Sequence, residues 1–107
     1  MNKRILLLEP YALRRQNIAL ALTTTGGFEV ISFSAWPQAN HWLSQHHADI
    51  CLLSDSLYSA QQLLIPTIIL GQGNTATNDM LLGNIASSTP IHAIPQYVFE
   101  LINQSSG

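Results

Sequence analysis

Short, unbroken apolar runs alternate along this chain with longer stretches of helical period, the pattern of repeated strand and helix units that build a parallel sheet. Ile5-Leu6-Leu7-Leu8, Asp49-Ile50-Cys51-Leu52-Leu53-Ser54 and Pro66-Thr67-Ile68-Ile69-Leu70 show little polar alternation, so each predicts a strand covered by helices on both faces. Phe28-Glu29-Val30-Ile31-Ser32-Phe33 alternates imperfectly and is rich in β-branched and aromatic residues, which predicts a strand nearer a sheet edge. Between the first two strands, Tyr11 to about Thr24 reads as a helix. Ile18, Ala21, Leu22 and Thr25 form its buried stripe, Leu13 and Leu20 add apolar surface beside it, and Gly26-Gly27 stops it. Ser34 can cap a second helix with Pro37 in its first turn; Ala39, Trp42 and Leu43 face inward, and the helix ends near His46-His47.

The second half is less regular. Asp55 to Leu64 leaves room for a loop and two or three helical turns, Gly71-Gln72-Gly73-Asn74 is a loop at the end of the fourth strand, and Thr77 to Leu82 reads as a short helix. A weak fifth strand is expected near Ile85-Ala86-Ser87. Pro90 then breaks the chain, and Pro95 opens a last helix over residues 96–104 whose Val98, Phe99, Leu101 and Ile102 make a buried face. Five strands alternating with helices predict a single α/β domain over residues 1–104, with residues 105–107 as the start of a linker. The expected architecture is three layers, α/β/α, on a doubly wound five-stranded parallel sheet of the flavodoxin-like kind, its functional crevice at the carboxyl ends of the strands. That places Glu9-Pro10, Ser54-Asp55, Gly71-Gln72-Gly73 and Thr89-Pro90 around one crevice.

Composition narrows the function. The 107 residues are 47% hydrophobic and only 9% charged, with a net charge of −2, so a single core is feasible and the basic footprint of a nucleic-acid binder is missing. The four basic residues, Lys3, Arg4, Arg14 and Arg15, all fall in the first fifteen positions, which predicts a local basic patch near one helix. No apolar run reaches the ~18 residues of a membrane span and no signal peptide is evident, so the expected location is the cytoplasm, with no membrane partner. Cys51 lies inside an apolar run and reads as a buried small hydrophobe. His41, His46, His47 and Asp49 are of metal-ligand type, but adjacent histidines late in a helix read as exposed residues at its favourable carboxyl end.

Taken in order, Lys3-Arg4-Ile5-Leu6-Leu7-Leu8-Glu9, the helix with Arg15, Ile18 and Leu22 leading to Gly27-Phe28-Glu29-Val30, the Ala39, Trp42 and Leu43 pattern before Asp49-Ile50-Cys51-Leu52-Leu53, the Pro66-Thr67-Ile68-Ile69-Leu70 strand and Pro90 resemble a response-regulator receiver domain over essentially the full length. The resemblance implies an acidic pair for Mg²⁺ after the first strand, an aspartate nucleophile after the third, a hydroxyl after the fourth and a lysine before the late proline. A hard cation takes carboxylate oxygens, an acyl phosphate needs a carboxylate nucleophile, and a cationic partner stabilises the phosphoryl oxygens. The chain has Glu9 and Pro10, then Ser54, Gly71 and Thr89 at those positions, and only Glu9 could serve. Asp55 is one step from the acceptor position, which turns its side chain to the opposite face. The third and fourth helices are also short for the family.

The resemblance therefore implies a degenerate pseudo-receiver: not an enzyme, without cofactor or metal, and acting through contacts. Such domains occur at the start of bacterial enhancer-binding and flagellar transcription regulators and within hybrid sensor kinases. The expected partners are a second copy or other domains of a longer regulator, with no direct nucleic-acid contact. Candidate interface residues are Tyr97 and Glu100 with Met80 and Leu81, then Leu13 and Leu20, and Trp36 as an aromatic anchor, one of the two tryptophans being expected in the core and the other exposed. The alternative is a flavodoxin-like sensor that holds a nucleotide or other small molecule between Glu9, Ser54 and the Gly71 to Asn74 loop.

Overall fold

The three apolar runs form the middle of the sheet. The computed structural model describes residues 3–58, 65–72 and 80–105, and in it β1 (Arg4–Leu8), β3 (Ile50–Ser54) and β4 (Thr67–Leu70) are buried at every position but Arg4. With β2 (Glu29–Phe33) and β5 (Leu81–Ile85) they make a five-stranded, wholly parallel sheet of order β2-β1-β3-β4-β5. β2 is an edge, as its mixed composition predicts.

Strand alternation divides the core in two. Ile5, Leu7, Ile50, Leu52, Ile68 and Leu70 point to one face, where Ile18 and Leu22 of α1 (Ala12–Thr24) and Ile94, Val98 and Ile102 of α3 (Ile94–Ser105) close over them. Leu6, Leu8, Cys51 and Leu53 point to the other, under Ala39 of α2 (Trp36–Leu43), with Trp36, Trp42 and Leu43 packed around them. Because strand order reverses direction between β1 and β3, a crevice opens at their carboxyl ends.

The structure corrects several expectations. β5 begins at Leu81, four residues before the expected strand, so Leu81 and Leu82 are strand residues and not the end of a helix over 77–82, whose first three residues lie outside the described ones. Of the expected helical turns between Asp55 and Leu64, one tight turn over Asp55–Leu57 is described and residues 59–64 are not. α2 stops at Leu43, and its first residue follows Ala35; the Ser34 hydroxyl bonds Gln38 Oε1 at 3.2 Å and caps no backbone N–H. Phe99, expected inside, is 42% exposed and packs against Phe28 with the rings tilted by 34°.

The basic residues do not form one patch. Arg4 lies at the amino end of β1, where its guanidinium donates to Glu29 at 2.9 Å and to the His47 carbonyl at 3.2 Å, whereas Arg14 and Arg15 sit at the opposite end of the sheet beside Glu9. Trp36 is not an exposed anchor: it is half-buried and its indole N–H donates to the Leu57 carbonyl at 2.8 Å, holding the turn after β3 against α2.

Candidate functional site

Each edge of the crevice is set by the residue that follows a strand. Glu9 extends β1 by one residue, its N–H donating to the Phe33 carbonyl at 3.2 Å, and this carries its side chain beneath the first turn of α1. There it is only 3% exposed. Oε1 accepts from Arg14 Nε at 3.2 Å and Oε2 from the Tyr11 N–H at 3.2 Å, while the Glu9 carbonyl accepts from Arg15 Nη1 at 2.8 Å. A carboxylate placed just ahead of a helix is favoured by the backbone N–H groups that the amino end of the helix leaves unpaired.

Ser54 closes β3, and its hydroxyl is buried and shares a 3.1 Å hydrogen bond with the Ser56 hydroxyl. Asp55, exposed, turns the other way along the chain: its Oδ2 accepts from the Gln72 N–H at 3.0 Å, so the carboxylate ties the turn after β3 to the loop after β4. Gly71 makes this possible. It has φ +122°, a conformation that suits glycine, and a Cβ there would collide with the Asp55 carboxylate. Its N–H donates to the Ile85 carbonyl at 2.7 Å and its carbonyl accepts from Asn84 Nδ2 at 3.1 Å. Gly71→Ala is expected to cost about 1–3 kcal/mol, through the disfavoured backbone and the displaced carboxylate; urea unfolding measures it, and an unchanged midpoint would mean that the Asp55 tether is not formed.

Thr89 belongs to a turn, its N–H bonded to the Ala86 carbonyl at 3.0 Å. Between this turn and the β4 loop is a shallow polar depression lined by Gly71, Gln72, Asn84, Ala86, Ser87 and Ser88. The structure places Glu9, Ser54, Gly71 and Thr89 at the same end of the sheet and adds two residues that the sequence did not single out there, Arg14 and Ser56. Gly73 and Asn74, part of the expected loop, lie outside the described residues.

The residues present do not suit a divalent cation. The Arg14 guanidinium already stands against the Glu9 carboxylate, Pro10 has no side-chain oxygen, and Ser54 offers a neutral hydroxyl already bonded to Ser56, whereas Mg²⁺ sites are built on carboxylates. Elsewhere, His46 stacks on Trp42 with ring centres 4.8 Å apart and its Nδ1 is 3.1 Å from the Trp42 carbonyl, and among the described residues no three His, Cys, Asp or Glu side chains are arranged to hold a metal.

The candidate interface residues are spread over the surface. Leu13 (71% exposed) and Leu20 (62%) stand out from α1, and Tyr97 (46%) from α3. Met80 is exposed just before β5, and Leu81 is half-buried and packs against the α2-side core.

No family model and no curated protein matches the chain by sequence. Solved structures match by shape. A CheY-like response-regulator receiver domain from Methylobacillus flagellatus aligns over 94% of this chain and 99% of its own, with TM-score 0.71 and 13% identity. An orphan response regulator of H. pylori aligns over 94% and 96%, with TM-score 0.69 and 15% identity. An atypical orphan response regulator, described as having a phosphorylation-independent regulatory mechanism, aligns over 94% and 95%, with TM-score 0.65 and 15% identity. The chain therefore has the fold of these receiver domains. No helix among the described residues is long and apolar enough to cross a membrane.

Proposed function

We propose that this domain is a receiver-like regulatory module that works without aspartyl phosphorylation, through contacts with a second copy or with other domains of a longer bacterial regulator. The observation that carries this reading is Ser54. At the position that the resemblance assigns to the phosphoryl acceptor stands a buried hydroxyl bonded to Ser56, and the nearby Asp55 carboxylate accepts from the Gln72 N–H of the next loop. A serine hydroxyl cannot form the acyl phosphate that a carboxylate forms. The likeness in fold to an atypical orphan regulator described as phosphorylation-independent supports it.

The reading excludes catalysis by this domain and places its output on its surface. Tyr97, Leu13 and Leu20 are exposed apolar side chains that a homodimer would cover. Acetyl phosphate or beryllofluoride with Mg²⁺ should leave the amide spectrum around Ser54, Asp55 and Glu9 unchanged, while sedimentation equilibrium should show a dimer that Tyr97→Ala weakens without unfolding the monomer. A saturable spectral shift centred on Ser54 and Asp55 would overturn the proposal.

A further inference from the structure

The most deeply buried charged group of the crevice carries its own counter-ion. Glu9 is 3% exposed, and the Arg14 side chain lying on it is 30% exposed, so the guanidinium shields the carboxylate from solvent at the mouth of the crevice. Five residues separate the pair, a spacing that crosses from the end of β1 into the first turns of α1, and Arg15 adds a bond to the Glu9 carbonyl from the same turns. Arginine suits this role because its charge is permanent and its planar fork can hold a carboxylate while its stem packs on apolar surface. Among the described residues every buried side-chain nitrogen and oxygen has a partner, and Glu9 owes its share of that to Arg14 and the Tyr11 N–H.

We propose that Arg14 is a built-in cation of the strand-end crevice: it neutralises Glu9, latches the start of α1 to the end of β1, and shuts the crevice against divalent metal ions. The inference deepens the phosphorylation-independent reading, since it supplies a reason why the crevice is held in one state. A metal ion approaching Glu9 would have to displace a tethered guanidinium, and the Asp55 carboxylate is drawn toward the Gln72 N–H of the neighbouring loop.

Two measurements test it. In the first, Mn²⁺ is titrated into the wild type and Arg14→Ala while the amide spectrum is recorded. The wild type should show no saturable broadening centred on Glu9 and Tyr11, and Arg14→Ala, with a buried carboxylate left without its counter-ion, should gain it at millimolar Mn²⁺. Saturable broadening at Glu9 in the wild type, or none in the folded variant, overturns the proposal. The second keeps the test open if Arg14→Ala folds poorly. Arg14→Ala should lower Tm by roughly 5–10 °C, as expected for a domain of this size when a buried carboxylate loses its partner, and Glu9→Gln added to it should recover most of that loss. If the double variant is no more stable than the single one, Arg14 acts by packing alone and the built-in cation is rejected. Mn²⁺ binding by the wild type would reject Arg14 as counter-ion and leave the regulatory reading intact, whereas a response to acetyl phosphate would reject that reading, so the two failures are distinguishable.

Discussion

Leu52→Ala is expected to lower the unfolding free energy by about 2–5 kcal/mol, the range for truncating a fully buried leucine that its surroundings cannot collapse upon. Leu52 is the middle residue of the middle strand. It pairs in register with Leu7 on one side and Ile68 on the other, has no exposed surface, and belongs to the cluster that α1 and α3 close with Ile18, Leu22, Ile94 and Val98. Because a domain of this size has only about 5–15 kcal/mol in all, this one change removes a large share of its stability. Urea unfolding should show a lower midpoint with an unchanged slope. Gln16→Ala, on the exposed side of α1, is the control and should change stability by no more than about 0.5 kcal/mol. Equal losses from the two variants would contradict the two-layer core.

The second large effect is a loss of stability in alkali. Burial in the α2-side core pushes the Cys51 thiol from 9.0 up to about 12, and a hydrogen bond from Thr67 opposes this only in part. Below pH 9 both folded and unfolded chains carry the neutral thiol, so Cys51 contributes no pH dependence. Above pH 9 the unfolded thiol ionises while the buried one keeps its proton, and stability therefore falls as pH rises until about 12. The slope is about 1.4 kcal/mol per pH unit. Other groups titrate in the same range, so the measurement is the stability difference between wild type and Cys51→Ala. Truncation makes a constant offset, and the wild type's advantage should shrink by about 2 kcal/mol between pH 9 and pH 11. A difference that stays flat over those two units would mean that the thiol is not held in an apolar site.

How much of this was legible in the sequence depends on how local the cause was. β1, β3 and β4 were readable because a strand covered on both faces must be apolar at nearly every position, and few other elements make a run as short and continuous as Leu6-Leu7-Leu8 or Cys51-Leu52-Leu53. β5 was misplaced for the opposite reason. Gly83 and Asn84 interrupt its apolar pattern, and Met80-Leu81-Leu82 resembles a helix. The structure shows why a glycine stands there: Gly83 has φ +152° and a Cβ on it would come within 2.7 Å of Leu101, and the ladder to β4 slips by one residue between Thr67 and Ile68. These are tertiary causes, and no window of neighbouring residues contains them.

The site followed the same division. The identity of Ser54 and Gly71 at strand ends could be read from spacing alone, but the work that Asp55 does on Gln72 spans seventeen residues and that of Trp36 on Leu57 spans twenty-one. Arg14 and Arg15 were legible as charge but not as partners of Glu9, because reading them as a surface patch with Lys3 and Arg4 ignored that β1 carries the chain from one end of the sheet to the other. The exposure of Phe99 was hidden similarly: its packing against Phe28 depends on how α3 passes the start of β2.

The direction of α3 has one more consequence. Ile94 packs near the crevice end of the sheet and the helix runs back toward its other end, so that Asn103 and Lys3 line one small cavity with Phe28 and Phe99. The described chain thus enters and leaves at the same pole, and twelve helical residues, about 18 Å of axis, separate that pole from the crevice. A fluorophore or a fused domain attached at either end would sit on the opposite pole from Glu9 and Ser54 and leave the crevice open. Residue 105 could also be joined to residue 3 by a short peptide, and new ends opened elsewhere, without pulling any strand out of the sheet.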